Sequence, residues 1–263
     1  YIPGRQTLCN AKIKRIIMRY FIHLAYNGTP FVGWQIQPNG NSVQAEIQNA
    51  ISILLKEPIE IVGCGRTDTG VHASSFYAHF DFKTELSDQK KEWLCHKLNG
   101  ILPKEIVIFS LFNVADDLHA RFSALDRTYK YYVNIYKNPF TFPFAYRVHE
   151  PLNLQLMNEA CEYLKQTEDF TSFSKLHTQV NNNICSVTHA EWNMENDQLV
   201  FTITANRFLR NMVRAIVGTL LELGKEKISL DKFQDIINQK DRSKAGKSVP
   251  AHALFLENVR YNF

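Results

Sequence analysis

The sequence predicts an α+β fold: two ferredoxin-like units share a mainly antiparallel sheet, with helices packed on it. Strand-like and helical patterns follow the order strand, helix, strand, strand, helix, strand, and this order occurs twice along the 263 residues. No linker rich in Pro, Gly or Ser separates the two occurrences, so the halves are expected to pack closely. We place the N-terminal half at residues 16–113 and the C-terminal half at 114–263.

The first half opens with an apolar, strand-like run that ends at the turn signal Asn27-Gly28-Thr29-Pro30. The Asn41-Ser42 pair is predicted to cap the first helix, which has apolar residues at helical spacing. The predicted elements of this half are a strand (20–26), a helix (42–54), two strands (59–64 and 75–82), a helix (87–98) and a strand (106–112).

The second half repeats the pattern and begins with an aromatic, β-prone strand. Its long helix is predicted to carry Arg207, Arg210 and Arg214 beside one apolar face and to stop at Gly224. The predicted elements are a strand (128–136), a helix (154–164), two strands (187–194 and 199–204), the long helix (207–224), a shorter helix (230–237) and a strand (253–259).

Composition excludes several classes of protein. No apolar run is long enough to cross a bilayer, and residues 1–15, which we leave out of the fold prediction, lack the apolar stretch of a signal peptide, so a cytoplasmic protein is expected. A net charge of +4 permits a polyanionic partner without requiring one. None of the cysteines is spaced as a C-x-x-C pair, so the sequence gives no sign of a disulfide framework or a zinc site. The five cysteines are Cys9, Cys64, Cys95, Cys161 and Cys185.

The segment between the second and third strands concentrates reactive side chains. Gly65 to Ala73 reads G-R-T-D-T-G-V-H-A, which combines permissive glycines with Arg66, Asp68 and His72. One interpretation is a polar turn in which Asp and Thr cap backbone amides. Another is the D-T-G triplet of aspartic proteases, but a second such triplet is absent and Arg66 would oppose a shared proton.

A third interpretation comes from resemblance. The Gly65 to Ala73 segment resembles the signature loop of the tRNA pseudouridine synthase A family. Six further segments resemble that family in the same order along the chain: Phe31 to Gln37, Ser42 to Gln44, His119 to Ser123, Arg127 to Tyr129, Asp169 to Phe173, and Met212 to Gly218. Thr69 and Ala253 depart from the residues common in relatives, which are Ala and Gly.

The resemblance implies a tRNA pseudouridine synthase that isomerises uridine in the anticodon stem-loop, at tRNA positions 38 to 40, after the target base has flipped out. It also implies that Asp68 is the essential carboxylate, that Arg214 pairs with it, and that Tyr129 contacts or stacks on the uridine. No metal or organic cofactor is implied, and the expected partners are tRNA and a second copy of the chain. The alternative is a non-catalytic RNA-binding module of the same fold.

The residues themselves are compatible with these roles without requiring them. A facing guanidinium stabilises a carboxylate and fixes its orientation, which suits Arg214. Tyr129 is either a core aromatic or a stacking surface for an extruded base, with Arg127 beside it. Arg66, Arg127, Arg207 and Arg210 are candidate substrate-binding residues, although Arg207 and Arg210 suit the edge of the core equally well. We assign His72 no catalytic role and place Trp34 in the core.

Overall fold

The computed structural model describes residues 17–175 and 182–263. Within these residues, nine strands form one sheet: β1 (Met18–Tyr26), β2 (Val62–Gly63), β3 (His72–Phe82), β4 (Ile106–Val114), β5 (Asp126–Asn134), β6 (Tyr146–Arg147), β7 (Val187–Glu195), β8 (Gln198–Ala205) and β9 (Leu254–Arg260). The α-helices of the described residues are α1 (Val43–Leu55), α2 (Asp88–Ile101), α3 (Leu154–Gln166), α4 (Met212–Gly224) and α5 (Leu230–Asn238).

The sheet has the strand order β4-β1-β3-β9-β5-β8-β7, with β2 on β3 and β6 on β5. Strands β4-β1-β3-β2 repeat the spatial order of β9-β5-β8-β7, which is the order of a ferredoxin-like unit. Pairing is antiparallel except between β3 and β9 and between β5 and β6. The expected fold of two such units sharing one mainly antiparallel sheet is therefore confirmed.

Each unit has its own apolar core, and β9 contributes to both. Leu254 belongs to the core beneath α3, α4 and α5, whereas Leu256 and Val259 belong to the core beneath α1 and α2. Tyr129 packs against both clusters. The predicted division of the chain into two units at residues 113 and 114 stays a prediction. The last strand, β9, lies between the two units in the sheet and packs into both cores.

The long helix was predicted to begin too early. Its first residue is Met212, so Arg207 and Arg210 lie in the loop after β8 and only Arg214 is helical. Asn211 ends the loop in the left-handed conformation (φ 65°), and its side chain donates to Ser248 Oγ at 2.6 Å. The backbone N–H of Lys175 donates to the Arg210 carbonyl. These tertiary contacts override the helical periodicity of the sequence.

Strand β2 was also predicted too long. Only Val62 and Gly63 pair with β3, whereas the prediction covered residues 59–64; β3 begins at His72 rather than Ser75. Cys64, Cys95, Cys161 and Cys185 are free thiols, and Cys9 lies outside the described residues. In the described part of the chain, every helix is too short or too polar to span a membrane.

Candidate active site

Asp68 lies in the loop that joins β2 to β3. The Thr67 side chain below it is buried, and its Oγ1 is 2.9 Å from the hydroxyl oxygen of Tyr26. The Val71 N–H donates to the Asp68 carbonyl at 3.1 Å, and Gly70 closes this turn at φ 76°, a region that favours glycine. The loop is thus anchored on both sides of Asp68, whose side chain remains 25% exposed.

The Phe31 to Trp34 segment supports the loop from beneath. The Trp34 N–H donates to the Thr67 carbonyl, and the Gly70 N–H donates to the Phe31 carbonyl, each at 3.4 Å. Gly33 has φ 103°, and a Cβ atom there would overlap the Thr67 carbonyl oxygen. Trp34 is buried and stacks on Phe76 with 4.1 Å between ring centroids, which confirms the predicted core position.

Two guanidiniums face the Asp68 carboxylate. Arg214 Nη1 lies 3.7 Å from Oδ2, and Arg210 Nε lies 3.7 Å from Oδ1. Arg214, in the first turn of α4, is 22% exposed, and its Nε donates to the Val249 carbonyl at 2.7 Å. Arg210, in the loop before the helix, is 59% exposed. One arginine is therefore fixed within the protein, and the other projects toward solvent.

Tyr129 is half-buried on β5, within electrostatic reach of the same carboxylate. Burial raises the pKa of its phenol, and the neighbouring Cys64 and Asp68 side chains raise the pKa further, so the hydroxyl stays protonated. The ring meets Phe208 edge to face, with centroids 5.0 Å apart. Tyr129 thus offers a hydroxyl donor and an aromatic ring beside Asp68.

Arg127 is hydrogen-bonded to backbone carbonyls of the protein. Its guanidinium donates to the carbonyls of Cys64 (3.1 Å), Ala124 (3.1 Å), Asn206 (2.8 Å) and Arg121. These carbonyls belong to the start of the Asp68 loop, the segment before β5 and the loop after β8. A direct contact between Arg127 and substrate stays a prediction, while the observed bonds hold three segments of the site together.

Three arginines near the Asp68 and Arg210 loops lie close together, and we call them the arginine rim: Arg66, Arg207 and Arg121, the last of which the prediction missed. Burial lowers the pKa of Arg121, and the guanidiniums of Arg66, Arg127 and Arg207 lower it further, so these charges lie near one another. Arg66 is exposed, and Arg207 donates from Nη1 to Asn182 Oδ1 at 3.3 Å. The His119 to Ser123 motif was the signal in the sequence for Arg121.

His72 is buried and fully hydrogen-bonded. Its Nδ1 accepts the Gly28 N–H at 3.0 Å, which leaves Nε2 to donate to the His252 carbonyl at 3.0 Å. Burial lowers the pKa of this imidazole, so the neutral form is favoured. The histidine links β3 to two loops. Within residues 17–175 and 182–263, no three His, Cys, Asp or Glu side chains are grouped as metal ligands.

Comparison with known proteins identifies the family of the chain. The family described as tRNA pseudouridine synthase matches residues 160–262. The chain is 54% identical to tRNA pseudouridine synthase A of Parabacteroides distasonis, over 92% of this chain and 96% of the relative. Identity to the Bacteroides fragilis protein of the same name is 54%, over 93% of this chain and 97% of the relative. The Bacillus subtilis protein of that name is 40% identical, over 93% of this chain and 100% of the relative. The chain therefore belongs to the tRNA pseudouridine synthase A family.

Proposed function

We propose that this protein isomerises uridine to pseudouridine in tRNA and that Asp68 is its essential carboxylate. The observation that carries the proposal is a partly exposed carboxylate with one guanidinium facing each of its oxygens, at 3.7 Å in both cases. Membership of the family supports tRNA as the substrate. The rim of arginines around the site supports a polyanionic ligand, because phosphates are bound chiefly by Arg and Lys.

The reaction breaks the bond between ribose C1′ and uracil N1, turns the base within the site, and joins C1′ to C5. The proton leaves C5 and N1 gains one, so the product has the same composition as the substrate. A carboxylate performs this work as a nucleophile or as a base. Arg214 orients the Asp68 carboxylate, and its own bond to the Val249 carbonyl fixes the direction of the guanidinium.

Access to C1′ and C5 requires the uridine to leave its stack. Tyr129 supplies a ring that replaces part of the lost stacking, and Phe208 supports that ring from the side. Arg66 and Arg207 bind phosphates at the rim, and Arg210 contacts the RNA strand that carries the target uridine. Arg127 keeps its predicted contact with substrate, and its bonds to backbone carbonyls also hold the Asp68 loop in place.

The finer expectations belong to the same proposal. We propose that the target uridines lie at positions 38 to 40 of the anticodon stem-loop, that the protein works in the cytoplasm, and that it acts as a homodimer. An exposed aromatic group before β6 supports a protein interface: Tyr136, Phe140, Phe142 and Phe144. Detection of monomer alone by sedimentation at assay concentrations would contradict the proposed homodimer.

The test compares wild type with Asp68→Asn on unmodified tRNA, with pseudouridine mapped along the product. We expect Asp68→Asn to bind tRNA with nearly unchanged affinity and to form no detectable product. Asp88→Asn is the control, because Asp88 is a solvent-exposed carboxylate at the start of α2. If wild type binds tRNA and forms no pseudouridine, the alternative of a non-catalytic RNA-binding module replaces this proposal.

A further inference from the structure

A rigid turn before β5 presents one aromatic ring to solvent. His119 Nδ1 accepts the N–H groups of Arg121 (3.0 Å) and Phe122 (3.2 Å). The His119 N–H donates to Ser123 Oγ at 2.9 Å, and the Ser123 N–H donates to the His119 carbonyl at 2.9 Å. Four hydrogen bonds within five residues hold the backbone of this turn, and with it the position from which the Phe122 side chain projects.

The Phe122 ring is supported on one side and open on the other. Its centroid lies 4.4 Å from that of the His119 ring, with 34° between the planes, and the Arg121 guanidinium carbon lies 5.4 Å from it. The residue is nevertheless 74% exposed. An apolar ring held outward on a fixed support, rather than folded into the core, offers a surface for stacking.

The turn is coupled to both the Asp68 loop and the arginine rim. One Arg127 nitrogen, Nη2, donates to the carbonyls of Arg121 and Cys64, so a single side chain joins the turn to the start of the loop. Arg121 lies among the guanidiniums of Arg66, Arg127 and Arg207. In the described part of the chain, no carboxylate lies within ion-pair distance of Arg121. Uncompensated positive charge beside an exposed ring is the combination that binds single-stranded nucleic acid.

We propose that Phe122 stacks on a nucleobase next to the target uridine and that Arg121 binds the phosphate joining the two nucleotides. The inference rests on the proposed function and deepens it, because it adds a subsite for the flanking nucleotide. Extrusion of the target leaves its neighbour without a stacking partner, and a ring at the rim replaces that partner. Stacking tolerates any base, so the subsite contributes affinity and position rather than sequence preference.

The experiment uses stem-loop RNAs that each carry 2-aminopurine at one position beside the target uridine. They are bound to the full chain in the Asp68→Asn background, so that the uridine stays unconverted. We expect fluorescence to be quenched at one flanking position, and Phe122→Ala to abolish that quenching and weaken binding about tenfold. Phe122→Trp is expected to restore both. Trp93→Ala is the matched control, because Trp93 on α2 is an exposed ring beneath a cation, Lys90, at 3.5 Å.

Equal affinity and equal quenching in Phe122→Ala and its parent would overturn the subsite. Pseudouridine formation by the otherwise wild-type protein, with and without Phe122→Ala, separates the two proposals. If wild type and Phe122→Ala both form product with the same KM, the subsite is refuted and the isomerase proposal stands. Absence of product from wild type, with quenching that depends on Phe122, refutes the isomerase and supports the subsite. Thermal unfolding of each variant confirms that the exposed substitution leaves the fold intact.

Discussion

At the scale of single residues, the two arginines at Asp68 differ in how they are held. Arg214 is largely covered and is fixed by a bond of 2.7 Å to the Val249 carbonyl. Arg210 is mostly exposed and keeps the freedom to contact RNA. The proposed roles divide accordingly: Arg214 orients the carboxylate, whereas Arg210 binds the substrate strand.

Substitution of each arginine by Ala tests this division. For Arg214→Ala we expect kcat to fall about 100-fold or more with little change in RNA affinity, because a preorganised charge partner is lost. For Arg210→Ala we expect the larger effect on affinity, with a shallower salt dependence of binding. Single-turnover kinetics and filter binding over a range of salt concentrations measure both. Equal losses of affinity and turnover in Arg214→Ala would contradict its pairing with Asp68.

His79 predicts a pH dependence of stability. It is buried, its Nδ1 accepts the Ala120 N–H at 3.1 Å, and burial, with smaller effects of Arg19 and His119, lowers its pKa from 6.5 to about 4. Below pH 6.5 His79 binds a proton in the unfolded chain, whereas in the native state it binds one only near pH 4. The free energy of unfolding therefore falls across this window, by up to about 3 kcal/mol from this residue.

The variant His79→Asn isolates that contribution. An Asn side-chain oxygen is expected to accept the Ala120 N–H and has no proton to gain in this window. The free energy of unfolding in urea should then fall less between pH 7 and pH 4.5 in the variant than in wild type. The same fall in both proteins would show that His79 is protonated in the native state.

At the scale of elements, the Asp68 loop depends on the segment beneath it. Gly33 adopts φ 103° directly under the Thr67 carbonyl, where a Cβ atom has no room. We expect Gly33→Ala to destabilise the fold by about 1–3 kcal/mol and to lower kcat, because the Asp68 loop must move. Gly100→Ala on α2 is the control: a Cβ there meets open space, so stability should stay equal or rise. Unchanged kcat and stability in Gly33→Ala would refute this support.

Local signals predicted most elements well. The first two helices were predicted to begin at the Asn41-Ser42 pair and near Ser87. Ser42 and Ser87 each cap their helix by accepting a backbone N–H. The predicted start of α4 was wrong because the true start depends on contacts with distant residues. These contacts are made by the Arg210 carbonyl and the Asn211 side chain. Contacts between segments far apart in the chain leave no local pattern in the sequence.

The site shows the same limit. The motifs pointed to Asp68, Arg214 and Tyr129, and the structure brings these three together. The bonds of Arg127 to four carbonyls were not predictable, because those carbonyls come from segments that meet only after folding. Arg121 was missed because an arginine beside an aromatic residue is common on ordinary protein surfaces, and only its neighbours distinguish it.

At the scale of the whole molecule, the active site depends on how the two units are joined. Asp68 precedes β3 of the first unit, and Arg214 lies in the first turn of α4 of the second. The last strand, β9, pairs with β3 on one side and β5 on the other, and its side chains belong to both cores. We therefore expect the units to unfold together and the distance between Asp68 and Arg214 to depend on β9.

Leu256→Ala tests this coupling, since Leu256 is buried on β9 within the first core and pairs with Tyr129 of β5. We expect a loss of about 2–5 kcal/mol in the free energy of unfolding, with hydrogen-exchange protection falling equally in β1 and β8. Ile53→Ala, an exposed position on α1, is the control and should change neither. If protection fell in β1 and stayed intact in β8, the units would be independent, and β9 would not be what holds Arg214 against Asp68.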